Sequence, residues 1–306
     1  MDVWQRWVTQ PQGVWLRRAL LQVHLWTGIG LGLYILMISV SGVVLIYRNE
    51  LYRTFAPQPR IVSVVGTRMD AEQLKAAAQR AYPDYAVTEL REGSEPNLAV
   101  EISLSRDDKV MLRAFDPYTA EDLGYSLPAG FRFTAWLLDL HDNLLSGETG
   151  RRANGIGALS LVLMSVTGAI IWWPGIRNWR RSMTIDLKTN WKALNWSLHS
   201  ALGFWCLAFV VMWGITGIYL SYPQPFSALV DYIEPFDDNN PVERVGDSVL
   251  YWLGYLHFGR FIRRVPGCGP GCNTTLMAVW AVFGLMLPVM FVTGVVMWWN
   301  RLLRKL

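Results

Sequence analysis

His24-Leu-Trp-Thr-Gly28-Ile-Gly-Leu-Gly-Leu-Tyr34-Ile-Leu-Met-Ile-Ser-Val-Ser41-Gly42-Val-Val-Leu-Ile-Tyr47 is the stretch on which the fold turns. It is apolar for long enough to cross a bilayer as a helix, which takes roughly 20 residues. A shift of 175 positions lays it on a second run, with His24 on His199, Gly28 on Gly203, Ser41-Gly42 on Thr216-Gly217 and Tyr47 on Tyr222. Two further apolar runs match each other: Ser165-Val-Thr-Gly168-Ala-Ile-Ile-Trp172-Trp173 lies on Phe291-Val-Thr-Gly294-Val-Val-Met-Trp298-Trp299. The sequence therefore predicts four main transmembrane helices, at about residues 20–47, 155–173, 195–222 and 275–299. They form two parallel repeats related by an axis along the membrane normal, because each repeat opens with an outward span.

Composition and charge agree. Of 306 residues, 52% are apolar and sixteen are tryptophan, more than an ordinary soluble domain holds. Trp172, Trp173, Trp298, Trp299 and Tyr222 crowd the span ends, where aromatic belts form. Eleven basic residues lie in the N-terminal tail (Arg6, Arg17, Arg18), after the second span (Arg177, Arg180, Arg181, Lys188, Lys192) and at the C-terminus (Arg301, Arg304, Lys305), against only Asp2 and Asp186. The positive-inside rule places these three segments, and hence both termini, in the cytoplasm. The net charge of +4 is thus a topology signal, and with no basic stripe interleaved with aromatics, no nucleic-acid partner is expected. The first span reads as an uncleaved anchor, being too long for a signal peptide and followed by no small-residue cleavage site.

The two outer segments differ. Met69 to Leu74 opens a helix with Asp70 as its cap, and apolar positions continue through Ala78 and Ala81 to a stop at Pro83. Alternating segments at 86–90, 98–104 and 110–115 read as strands, and Asp116-Pro117-Tyr-Thr119 through Gly124 closes a small α+β unit. The corresponding segment of the second repeat, about 223–246, reads as a short acidic connecting loop. The expected organisation is a first transmembrane segment with a cytoplasmic N-terminus (1–60), an outer module (61–127), an interfacial helix with the second span (128–174), a cytoplasmic loop (175–194) and the second repeat (195–306).

All four histidines obey the repeat. His24 and His199 begin spans, while His141 and His257 each follow a tryptophan, Trp136 and Trp252, by five residues. Histidine is rare in membrane segments because its polar ring needs a partner there. Two matched pairs point to two bis-histidine haem sites, since haem iron takes two axial imidazoles from facing helices. Gly28 and Gly203 lie one turn beyond a histidine on the same helical face, where a missing side chain lets a flat macrocycle approach; close helix packing is the other explanation.

These features resemble the PepSY-associated transmembrane family, the iron-regulated membrane proteins that include FoxB-type siderophore reductases. The carriers are His24-x-x-x-Gly28, Ser41-Gly42, Leu140-His141, Thr167-Gly168-x-x-x-Trp172-Trp173, Asp116-Pro117-x-Thr119, and the second set around His199 and His257. The resemblance implies a cytochrome of the bacterial inner membrane with two haem b groups, held by His24, His199, His141 and His257. It also implies a PepSY-like periplasmic module and transfer of electrons to a periplasmic ferric siderophore or related iron chelate. Ala120 departs from the family pattern, where the outer module usually has glycine.

Other residues have weaker claims. Arg17, Arg18 and Lys192 near the inner pair, and Arg151, Arg152, Arg260, Arg263 and Arg264 near the outer pair, suit haem propionates or an anionic chelate; topology alone also explains the inner group. Trp136 and Trp252 are candidates to stack on the outer haem, the other tryptophans being interfacial anchors. Cys268 and Cys272 are a disulfide candidate on the oxidising side, with free or redox-active thiols as alternatives, and Cys206 reads as a packing residue. Zinc or copper held by histidines with cysteine or carboxylate is a lesser possibility. No Ser-His-Asp pattern, P-loop or dinucleotide fingerprint occurs, so electrons must come from a quinol or a cytoplasmic reductase. A haem-free accessory or regulatory membrane protein and a permease subunit for siderophore uptake remain alternatives, and neither needs haem.

Overall fold

The computed structural model describes residues 2–107, 109–235, 244–260 and 270–303. Its helices are α1 (Val3–Thr9), α2 (Trp15–Gly30), α3 (Gly32–Leu45), α4 (Arg48–Thr54), α5 (Ala71–Ala81), α6 (Ala129–Asn143), α7 (Gly147–Trp172), α8 (Trp179–Ser182), α9 (Trp191–Ser221), α10 (Pro223–Ile233), α11 (Val245–Phe258) and α12 (Pro270–Leu302). Four strands, β1 (Ala86–Arg91), β2 (Val100–Arg106), β3 (Lys109–Phe115) and β4 (Asp122–Tyr125), form one antiparallel sheet in sequence order. The chain divides into two compact units, residues 1–47 with 137–306, and residues 48–136.

In the first unit α7, α9 and α12 are each long and apolar enough to cross a membrane. The first span is not one straight rod. It breaks into α2 and α3, bent by 63°, and makes a fourth span if the pair counts as one. Glycine explains the break: Gly28, Gly30 and Gly32 lower helix propensity through this stretch. The α2 end closes with the Leu31 N–H donating to Thr27 O, and the Phe291 ring packs against Gly32, where no side chain fits. The bundle packs α2 on α7, α7 on α9, α9 on α12 and α12 on α3. Many of its buried span positions are small or hydroxylic, among them Ser39, Ser41, Ser165, Thr167, Ser200, Ala201, Thr216 and Thr293, beside a few larger ones such as Ile35 and Val210, while Leu33, Ile156, Leu163 and Val282 are exposed. Small residues inside and large apolar residues outside is the pattern of helices packed in lipid. The segment expected to be a plain acidic connector instead contains α10. Pro223 sits in the first turn, where its fixed φ suits a helix, and composition had masked this signal.

The second unit is helix α5 against the sheet. Asp70 caps α5 in a reciprocal box: its carboxylate accepts the Gln73 N–H at 2.8 Å, and Gln73 Oε1 accepts the Asp70 N–H at 3.0 Å. Val100, Ile102 and Leu104 alternate along β2 onto the face that packs Leu74, Ala78 and Phe115. Emptying such a position, as in Ile102→Ala, costs about 2–5 kcal/mol. The fourth strand was not expected, since Asp-Leu-Gly-Tyr is too short to show alternation. It pairs with β3 through Arg113–Tyr125 and Phe115–Asp122. The preceding turn puts the Asp116 carboxylate on the Tyr118 and Thr119 N–H groups. Ala120 in that turn has φ +61°, the left-handed region that glycine enters without penalty. That is the physical reason for a glycine preference at this place.

Candidate functional site

Each histidine lies beside a hydroxyl-glycine dipeptide of a different helix. His24 on α2 meets Thr167-Gly168 of α7, and His199 on α9 meets Thr293-Gly294 of α12. His141 on α6 meets Ser41-Gly42 of α3, and His257 on α11 meets Thr216-Gly217 of α9. Ring Nδ1 stands 2.9 Å from Thr293 Oγ1 in His199, 2.9 Å from Thr216 Oγ1 in His257 and 3.0 Å from Ser41 Oγ in His141. In His24 it stands 3.0 Å from Met164 O and 3.4 Å from Thr167 Oγ1. The glycine lets the ring approach. A side chain at Gly42 or Gly168 would begin 2.9 or 3.0 Å from the imidazole Cε1, tighter than ordinary contact.

The hydroxyls also suit one tautomer. Each has one proton, and each donates it back along its own helix: Ser41 to Met37 O at 2.8 Å, Thr167 to Leu163 O at 2.9 Å, Thr216 to Met212 O at 2.8 Å and Thr293 to Val289 O at 2.9 Å. With the hydroxyl proton on that carbonyl, the oxygen can accept from an Nδ1–H of the imidazole, as the Met164 carbonyl does for His24. In that tautomer Nε2 carries the lone pair, the state of a metal-ligating imidazole oriented by a partner on its other nitrogen.

The four rings gather in two layers. His24 and His199 line one cavity of about 700 Å³ in the membrane unit, with a mostly apolar wall that includes Gly28, Gly203, Met164, Met290 and Phe291. A side chain at Gly28 would sit 3.6 Å from Met164 Sδ, and one at Gly203 would sit 3.5 Å from Met290 Cε. These are ordinary contact distances, so the two glycines are not forced by close packing and instead leave room in the cavity. Arg17, Trp172 and Arg301 line the same cavity. Arg17 donates to Ile171 O at 2.5 Å, but Arg17 Nε and Trp172 Nε1 are buried donors with no partner among the described residues. Buried donors need acceptors, and a carboxylate bound there would supply them. Cavity, imidazoles and orphaned donors thus fit a large flat apolar group with anionic arms.

The ring centroids of His141 and His257 lie 6.2 Å apart, with their planes tilted by 57°. Two imidazoles bonded across one metal ion have centres roughly 6 Å apart, each bond being about 2 Å long. Along the unbroken helix α9, His199 and the Thr216 that holds His257 are seventeen residues apart. That is on the order of 25 Å, against a hydrocarbon layer of about 30 Å.

Other expected site residues are placed as follows. Arg151 pairs with Asp142 at 2.6 Å and Arg152 with Glu148 at 3.0 Å. Arg260 is buried and donates to Ile46 O at the end of the first span. Trp136 stacks on Phe133, and Trp252 meets Tyr251 and Tyr255 edge-on. Arg263, Arg264 and Cys268 lie outside the described residues; Cys272 is disulfide-bonded, and Cys206 is a buried free thiol. Among the described residues no group of three or more His, Cys, Asp or Glu side chains gathers to hold a metal ion. What sequence reasoning missed is the place at the site of the four hydroxyls and of Trp172 and Arg301, which it took for repeat, belt and topology residues. The recurring Ser/Thr-Gly pair beside each aligned histidine was the signal for the hydroxyls.

The model of the PepSY-associated TM region matches residues 21–238 and 234–301. An uncharacterized protein of Pseudomonas aeruginosa is 31% identical over 84 residues, 26% of this chain and 20% of that protein, so the match spans only about a fifth of that relative's length. With apolar helices long enough to span a bilayer, the chain is a membrane protein of the PepSY-associated transmembrane family.

Proposed function

We propose that this chain is a dihaem b-type electron-transfer protein of the bacterial inner membrane that reduces a ferric chelate, of the ferric siderophore class, in the periplasm. Bis-imidazole haem supplies one-electron transfer with no open iron position. The chain's own residues do the rest. His24 with His199, and His141 with His257, offer Nε2 lone pairs when Nδ1–H donates to the oxygen beside it. Gly28 and Gly203 keep the inner cavity wide, and Arg17, Trp172 and Arg301 suit carboxylate arms. The apolar wall excludes water, which favours electron exchange over side chemistry. The family membership suggests an iron-regulated membrane protein and supports iron as the task. The observation that carries the proposal is the fourfold histidine cradle, in which each ring Nδ1 lies beside an oxygen of a neighbouring helix.

The test is reconstitution in vesicles with a quinol analogue as reductant and a ferric hydroxamate chelate on one side. Oxidation of a b-type absorbance on adding the chelate, with ferrous iron appearing only when the outer face is exposed, is the expected result. A chain that carries haem but is not oxidised by any ferric chelate would overturn the acceptor; a chain that never binds haem would overturn the proposal.

A further inference from the structure

The repeat that pairs the histidines also pairs Asn154 with Trp280 and Tyr34 with Phe209. Asn154 lies thirteen residues before Thr167, and Trp280 thirteen before Thr293; Tyr34 lies seven before Ser41, and Phe209 seven before Thr216. Different chemistries at these places do the same physical work. Asn154 Nδ2 donates to His141 O at 2.7 Å and Asp142 O at 3.1 Å. Trp280 Nε1 donates to Leu256 O at 2.8 Å, one residue before His257. The receiving carbonyls belong to the last turns of α6 and α11, where helical carbonyls lack partners of their own. Each donor is seated in turn on the outward span. Tyr34 OH donates to Asn154 Oδ1 at 2.5 Å, and the Phe209 ring meets the Trp280 ring edge-on at 5.3 Å.

We infer that Asn154 and Trp280 are equivalent positioning residues for the outer histidine pair. Each histidine is held from two sides: the outward span grips its ring through a hydroxyl, and the inward span grips the backbone of its turn through Asn154 or Trp280. Two grips fix both the place and the tilt of each ring, and so the 6.2 Å separation of His141 and His257. A ring grip alone would let the last turn fray, since helix ends open at little cost. The first repeat uses a polar brace and the second an aromatic one, so the two histidines have unlike surroundings. The role as haem ligands rests on the function proposed above; the brace itself does not.

The experiment uses the full-length protein in nanodiscs. Asn154→Asp keeps the size and the Tyr34 contact but has no donor for the two carbonyls; Trp280→Phe keeps the ring and loses the N–H. Amide exchange is read at residues 141–146 and 256–259. The midpoint potential and the low-spin ferric resonance of each haem are read alongside. The inference predicts exchange at least about tenfold faster at the end of α6 in Asn154→Asp, which loses two hydrogen bonds, and about tenfold faster at the end of α11 in Trp280→Phe, which loses one. It predicts a shifted resonance and potential for the outer haem alone, restored toward normal by Asn154→Gln. Unchanged exchange overturns the inference. Faster exchange with an unmoved outer haem also overturns it, because the residues would then only stabilise helix ends. Should the parent protein lack haem, the electron-transfer proposal fails, while unchanged exchange would still overturn the brace.

Discussion

Replacing Thr293 by valine keeps the volume of the side chain and removes the oxygen that stands 2.9 Å from His199 Nδ1. The Nδ1–H would lose its 2.9 Å acceptor and keep only the Met290 backbone within reach. Losing the nearer of two acceptors of a buried donor costs up to about 1–3 kcal/mol. The ring would recover part by turning its proton elsewhere, and that freedom is itself the loss, because Nε2 then no longer points at a fixed place. Losing the partner behind a metal-ligating imidazole lowers metal affinity about 10- to 100-fold. Thr167→Val supplies the internal comparison. Its oxygen lies 3.4 Å from His24 Nδ1, while Met164 O lies at 3.0 Å and survives the substitution. Thr293→Val should therefore weaken haem retention at the inner site about tenfold or more, and Thr167→Val markedly less. The assay is transfer of haem from purified variants to apomyoglobin, followed by absorbance. Equal retention by Thr293→Val and the parent, or a larger loss in Thr167→Val, would refute the hydroxyl-cradle argument.

The cavity and the outer module give further expectations. Gly203→Leu fills the inner cavity beside Met290 and should abolish one haem while leaving the second, as counted by pyridine haemochromogen. Ala120→Gly relieves the φ +61° turn and should raise the stability of the outer module by about 1 kcal/mol, seen as a higher midpoint in thermal or urea melts. Burial would raise the Asp122 carboxyl, but hydrogen bonds from Arg113, Tyr82 and the Gly124 N–H hold it below its ordinary value. The stabilisation from a lowered carboxyl is present above the unfolded pKa of about 3.9 and is lost as pH falls through the folded value. Burial, then the hydrogen bond to Asp122, pushes the Tyr82 phenol up to about 12, so its contribution is lost as pH rises from about 10 toward that value. Urea melts across pH should show both losses, and Asp122→Asn should remove the acid limb.

The sequence announced the bundle because membrane spans are long and their apolar runs need no partner to be seen. The tandem repeat also sorts the four histidines into two matched pairs. The bend of the first span was less legible: Gly30 and Gly32 permit a break, but the Phe291 ring that occupies the space beside Gly32 comes from the last helix. Helix α10 was hidden by its acidic neighbourhood, and β4 by its four-residue length. At the site, Gly28 and Gly203 were readable from their spacing to histidine. The hydroxyls were not, because Ser41 acts on His141 a hundred residues away, and a serine in a membrane helix usually satisfies itself on the preceding turn. Here it does so and serves the imidazole with its remaining lone pair. Trp172 and Arg301 reach the cavity only once α7 and α12 are packed, although both had been noted, as a belt residue and a topology charge.

The measurement that tests the central claim most directly is a dithionite-reduced minus air-oxidised spectrum with a haem count, made on the parent and on four single histidine-to-alanine variants. The account predicts a b-type spectrum near two haems per chain, one shared loss in His24→Ala and His199→Ala, and the other shared loss in His141→Ala and His257→Ala. A colourless parent purified from haem-sufficient cells, or losses that pair His24 with His141, would contradict it.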